Sequence, residues 1–79
     1  MFMTSHFIVY PEGDEQEISF PLRFGSLVGL NGVMLRPPLP THKMIAYRVY
    51  KIRKDERRGE EISYYHLEQL GPDEMISLT

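Results

Sequence analysis

Leu27-Val28-Gly29-Leu30-Asn31-Gly32-Val33-Met34-Leu35-Arg36 decides the fold, because Asn-Gly between two apolar runs is the strongest short-range hairpin signal a sequence carries. A type I′ turn needs positive φ at both central residues, which Gly reaches freely and Asn reaches at low cost. With a two-residue loop, Leu30 pairs with Val33, Gly29 with Met34 and Val28 with Leu35. Nearly every side chain of this hairpin is apolar on both faces, so it must be covered on both sides or meet another chain. In the second case Leu30, Val33 and Leu35 are the expected oligomer contacts.

Outward from the hairpin, the signals are those of further strands. His6 to Tyr10 is β-branched and aromatic and runs into Pro11-Glu12-Gly13-Asp14, a cluster of turn formers. Ile18, Phe20, Leu22 and Phe24 then alternate with Glu17, Ser19, Pro21 and Arg23, which predicts a strand with four large apolar side chains on one face. Pro21 lacks an N–H, so that strand has an edge or a bulge there. After the hairpin, Arg36-Pro37-Pro38-Leu39-Pro40 reads as a stiff extended connector. Its Pro-x-x-Pro spacing matches ligands of SH3 and WW domains, but such ligands sit in disordered tails, and a connector inside a domain is the better reading.

Residues 41–59 admit two readings. Thr41 as N-cap, Ile45, Val49 and Ile52 on one stripe and Gly59 at C′ describe a helix. The β-branched and aromatic residues Ile45, Tyr47, Val49, Tyr50 and Ile52, followed by the strand-like Glu61 to Leu67, favour a long hairpin. With Arg58-Gly59 at its tip, Ile52 faces Tyr65 and Tyr50 faces Leu67 on a core face. Lys51 then meets His66, Arg53 meets Tyr64 and Val49 meets Glu68 on a wet face. Ser63 to Leu70 has a helix reading too, because Leu70-Gly71-Pro72 is a good helix stop, and it is set aside for the strand. Pro72-Asp73-Glu74 predicts a short turn of helix or a loose final strand.

The sum is an all-β, small barrel-like meander of about five to six antiparallel strands, SH3-like or OB-like in character, with at most a short helical turn near the C-terminus. Its 79 residues form one domain, 1–79, and the 42% hydrophobic content supports a modest core. The absence of cysteine excludes disulfides, thiolate catalysis and Cys-based zinc sites, and points to the cytoplasm. Met1 to His6 lacks the basic and apolar segments of a secretory signal, and no apolar run is long enough to span a membrane.

Motifs for chemistry are sparse. No Gly-x-Ser-x-Gly is present, and the three histidines, His6, His42 and His66, stand singly, so no metal is expected. Glu12, Asp14, Glu15 and Glu17 lack the pattern of a calcium loop and read as a solvated acidic turn. Gly25, Gly29 and Gly32 match no phosphate-binding spacing and read as turn glycines. No cofactor is expected, and the protein is read as non-enzymatic.

Charge is segregated within a net of −2, with seven of the nine Lys and Arg residues between Lys43 and Arg58. The candidate partner-binding set is Tyr47, Lys51, Arg53, Arg57, Arg58, Tyr64 and His66, with Val49 on the same face, all in the last hairpin. Cations interleaved with rings suit a negatively charged partner. The expectation is a protein partner or self-association, with single-stranded nucleic acid as the alternative.

Overall fold

A computed structural model describes residues 3–79; Met1 and Phe2, part of the segment read above as no secretory signal, lie outside them. Six strands run in the order β1 Met3–Val9, β2 Glu15–Ile18, β3 Leu27–Val28, β4 Met34–Leu35, β5 Tyr47–Arg57 and β6 Glu60–Gln69, followed by one helix, α1 Pro72–Ser77. They form one sheet in the order β2-β1-β6-β5-β3-β4, curled into a half-barrel. The all-β, barrel-like expectation is met. The three successive hairpins are also present, since β1 pairs with β2, β3 with β4 and β5 with β6, each antiparallel.

What differs is their assembly. A meander would lay the hairpins side by side in chain order, with every pair antiparallel. Instead β1 pairs with β6 in parallel, from Met3 opposite Glu60 to Val9 opposite His66, and β3 lies against β5. The chain returns β6 to the free side of β1, which places the first strand inside the sheet.

The predicted strand over 17–24 ends early, at Ile18. Leu22 still reaches the core, but Phe24 is 75% exposed, so the four alternating apolar residues do not share one face. Beyond Pro21 the chain turns away from β1 and attaches to β5, where the Gly25 N–H donates to the Val49 carbonyl and the Val49 N–H donates to Ser26.

At the Asn-Gly hairpin the turn forms with φ of 61° at Asn31 and 73° at Gly32, the signature read from the sequence. The register differs by one. Val28 stands opposite Met34 and Leu27 opposite Leu35, and the Gly29 N–H donates to the Val33 carbonyl. Leu30 therefore belongs to the loop. A β-carbon on Gly32 would lie 3.1 Å from Ile18 Cγ2 and 3.4 Å from Ile8 Cδ1, so the turn is pressed onto the core, and glycine is required for space as well as for φ.

Burial divides the apolar residues into two clusters. Ile8, Ile18, Leu22, Val28, Tyr47, Val49, Tyr65 and Leu67 fill the inside of the curled sheet, with Tyr10 and Phe20 at its margin. Leu39, Ala46, Leu70 and Met75 form the second, with Leu27, Leu35, Met44 and Leu78 packed against them. The proline segment helps build this second cluster: Leu39 is buried and its N–H donates to the Leu78 carbonyl at 2.7 Å. Helix α1 closes it, starting at Pro72, where a missing N–H costs nothing, with Asp73 and Glu74 in its positively polarised first turn. The apolar β3–β4 hairpin is thus covered by its own chain at Val28 on one side and at Leu27 and Leu35 on the other, while Leu30, Val33 and Met34 stay exposed at its turn end.

Candidate functional site

The last hairpin is strand on both arms, as its β-branched and aromatic composition predicts, and neither helix reading holds. From the tip inward its register matches expectation: Arg57 opposite Glu60, Arg53 opposite Tyr64, Ile52 opposite Tyr65 and Lys51 opposite His66. A β-bulge then intervenes between Val49 and Lys51, so Val49 pairs with Leu67 and Tyr47 with Gln69. One extra residue reverses the facing of everything beyond it. Tyr50 is turned to solvent, and Val49 and Tyr47 enter the core. Tyr47, expected on the wet face, is only 7% exposed inside the half-barrel and does not belong to the candidate surface, nor does Val49.

The outer face of the sheet follows from the pleat, since residues directly opposite one another project to the same side. One row runs Glu17, Phe7, Tyr64, Arg53 across β2, β1, β6 and β5; the next runs Glu15, Val9, His66, Lys51. The face therefore grades from an acidic edge through an aromatic and apolar centre to a basic edge. Phe7 and Val9 are members that the sequence reading missed. Their signal was the period of two in β1, which sends Phe7 and Val9 to the side opposite buried Ile8.

Within the face the rings are ordered. The Arg53 guanidinium carbon lies 4.3 Å from the centre of the Tyr64 ring, a cation–π distance, and Tyr64 stacks on Phe7 at 5.8 Å with 23° between planes. Because β5 and β1 flank β6, Arg53 and Phe7 approach Tyr64 from opposite sides. His66 meets the displaced Tyr50 edge-on at 6.4 Å. Its Nε2 is buried with no hydrogen-bond partner among the described residues. Burial, then Arg53 and Lys51, hold the imidazole below the usual histidine range, with Glu15 opposing.

The other predicted residues are placed unevenly. Lys51 and Arg53 make no ion pair among the described residues, whereas Arg57 bonds Asp55 at 3.3 Å. Arg58 occupies the tip, with φ of 23°. Of the predicted oligomer contacts, Leu30 and Val33 are exposed, at 54% and 58%, while Leu35 is half-buried within its own chain and is not a free contact. Among the described residues no group of three or more His, Asp or Glu side chains is placed to hold a metal, and no helix is long and apolar enough to cross a membrane.

No curated protein and no solved structure matches the chain. The family described as "Uncharacterised Treponema protein" matches residues 2–78, and the chain belongs to that family.

Proposed function

We propose that the protein is a non-enzymatic interaction module of the cytoplasm whose outer sheet face binds a protein partner. The observation that carries this reading is the ordered stack of Arg53, Tyr64 and Phe7 at the centre of a face with Lys51, which makes no ion pair among the described residues, at one edge and Glu15 and Glu17 at the other. Aromatic and arginine side chains held in place before binding lose little conformational freedom on association and are the usual anchors of protein interfaces. The partner carries an acidic patch against Lys51 and Arg53.

Single-stranded nucleic acid suits this face less well. A base would stack on Tyr64, but Arg53 and Phe7 already take both sides of that ring, and Glu15 and Glu17 repel a phosphate backbone. Self-association is the second protein reading, through the exposed apolar residues Leu30, Val33 and Met34 at the β3–β4 turn.

The test compares wild type with a Lys51→Glu, Arg53→Glu double variant in affinity capture from the source organism, followed by binding of the purified captured protein. Loss of that binding in the variant, with folding intact, supports the reading; equal binding refutes it. Saturable, salt-sensitive binding of a labelled single-stranded oligomer moves the function to nucleic acid. Sedimentation of wild type against Val33→Asp decides self-association.

A further inference from the structure

The sheet curls without closing, so β2 at one edge and β4 at the other have a strand on one side only. Hydrogen bonding in the β1–β2 hairpin shows which backbone groups of β2 this leaves free. The Tyr10 N–H donates to the Asp14 carbonyl at 2.8 Å, and the register runs on from there through Val9 opposite Glu15 to His6 opposite Ile18. Bonded and unbonded pairs alternate along an antiparallel ladder. Gln16 and Ile18 therefore turn their N–H and C=O toward β1, whereas Glu15 and Glu17 turn theirs outward. These outward groups have no hydrogen-bond partner among the described residues. The opposite edge offers less, because β4 is only Met34–Leu35 and Pro37 and Pro38 soon follow it.

Beside this edge, between β2 and the Asn-Gly turn, lies a cleft of about 370 Å³. Gln16, Ile18 and Phe20 line it from the strand side, and Asn31 and Gly32 line it from the turn. The turn is seated against Ile18 so closely that a β-carbon on Gly32 would lie 3.1 Å from it, which fixes the far wall. Successive residues of a strand added to β2 would meet two surroundings. Those opposite Gln16 and Ile18 project inward to the cleft. Those opposite Glu15 and Glu17 project to the outer face, beside two exposed carboxylates that make no ion pair among the described residues.

We propose that β2 is a docking edge for an extended segment of a partner protein in which Lys or Arg alternates with apolar residues. The segment extends the sheet by one strand: its N–H groups donate to the Glu15 and Glu17 carbonyls, and its carbonyls accept from the Glu15 and Glu17 N–H groups. Its cations lie directly across from the two carboxylates, an arrangement that stabilises a strand pair. Its apolar side chains enter the cleft against Ile18 and Phe20. The same charges decide against a second copy of β2, since antiparallel pairing of two such strands would set their glutamates against each other. This edge is separated from Lys51 and Arg53 by β1 and β6, and the segment docks there whether or not the outer face holds a partner of its own.

The test is a titration of ¹⁵N-labelled protein, with amide hydrogen exchange, against the end-capped peptide Thr-Lys-Val-Lys-Val-Thr. Two controls are the same peptide with Glu in place of Lys, and the Lys peptide N-methylated at both lysines, which keeps its charge but cannot donate to β2. The expected result is saturable binding of the Lys peptide alone. The Glu15 and Glu17 amides become protected, while those of Gln16 and Ile18, already bonded to β1, change little. Glu15→Lys with Glu17→Lys, both at exposed positions, weakens the Lys peptide about fivefold through loss of two cross-strand charge pairs and transfers the preference to the Glu peptide. The Lys51→Glu, Arg53→Glu double variant binds the Lys peptide at least as well as wild type, which separates this edge from the outer face. Binding that leaves the Glu15 and Glu17 amides unprotected, that either control peptide reproduces, or that the Lys51→Glu, Arg53→Glu variant loses overturns the proposal. Protection of those two amides in the protein alone, growing with its concentration, overturns it in favour of a second copy.

Discussion

Val49 stands opposite Leu67, whereas Lys51, two residues further on, stands opposite His66, the immediate neighbour of Leu67. The residue between, Tyr50, has no partner and lies exposed. The bulge sorts the hairpin into a core half and a surface half, and it allows one strand to contribute Tyr47 and Val49 to the core and Lys51 and Arg53 to the outer face.

Truncating both sides of the bulge separates this arrangement from an unbroken ladder. Val49→Ala removes two fully buried methyl groups and is expected to cost about 2 kcal/mol. Tyr50→Ala loses the edge contact with His66 and should cost less than about 1 kcal/mol. In a regular register Tyr50 would face Leu67 in the core and the order would reverse. Urea unfolding of the two variants, compared at equal m, reads the difference.

Gly32 and Gly71 make a second pair. Gly32→Ala must hold φ of +73° and bring a β-carbon to 3.1 Å from Ile18, so a loss of more than about 1 kcal/mol is expected. Gly71, with φ of −78° and open space around it, tolerates Ala with little change. Thermal melts showing equal losses would remove the tight seat of the Asn-Gly turn on the core.

His66 predicts a pH dependence. Its folded-state affinity for a proton lies below the ordinary value of 6.5, chiefly through burial and then through Arg53 and Lys51. Above that value the imidazole is neutral in both states and full stability is present. As pH falls through it, the unfolded chain takes up the proton first, and stability declines until the folded imidazole is also protonated. Urea midpoints measured from about pH 8 to about pH 5 should fall more steeply in wild type than in His66→Gln.

Arg48 joins β5 to both β6 and the helix. Its guanidinium lies 2.9 Å from Glu68 and 2.8 Å from Glu74, with the arginine side chain 38% exposed and both carboxylate side chains 45% exposed. At that exposure solvent screening limits the network to roughly 1 kcal/mol or less. Arg48→Met, which keeps the stem, should cost that much at low salt and less at high salt, as melts at two ionic strengths will show. A salt-independent loss would assign the effect to packing.

Legibility followed the range of the interactions. The turn at Asn31-Gly32 was readable because positive φ is a local demand that few residues meet. The Arg58-Gly59 hairpin was readable through Lys51 because its register is counted from the tip. The bulge at Tyr50 was not, since no local signal marks it; only the need to bury Val49 and Tyr47 against β3 and β1 puts it there. The strand expected over 17–24 failed for a related reason. Ile18 and Leu22 are buried as the alternation predicts, but beyond Pro21 the backbone bonds to β5 rather than β1, and Phe24 is left outside. Phe7 was overlooked as a surface residue because its importance comes from Tyr64, a residue 57 positions away that parallel pairing brings beside it.

By itself the sequence determined the strand content, the three hairpins, the positive-φ turn and the absence of thiol chemistry, all properties set by neighbours along the chain. Tertiary structure alone decided the parallel β1–β6 pairing, the burial of Tyr47 beside Tyr10 and the acidic turn, and the covering of Leu27, Val28 and Leu35 of the Asn-Gly hairpin by their own chain while Leu30, Val33 and Met34 stay exposed. These depend on which faces meet in space, and a hydrophobic pattern is equally satisfied by several partners until the whole sheet is assembled.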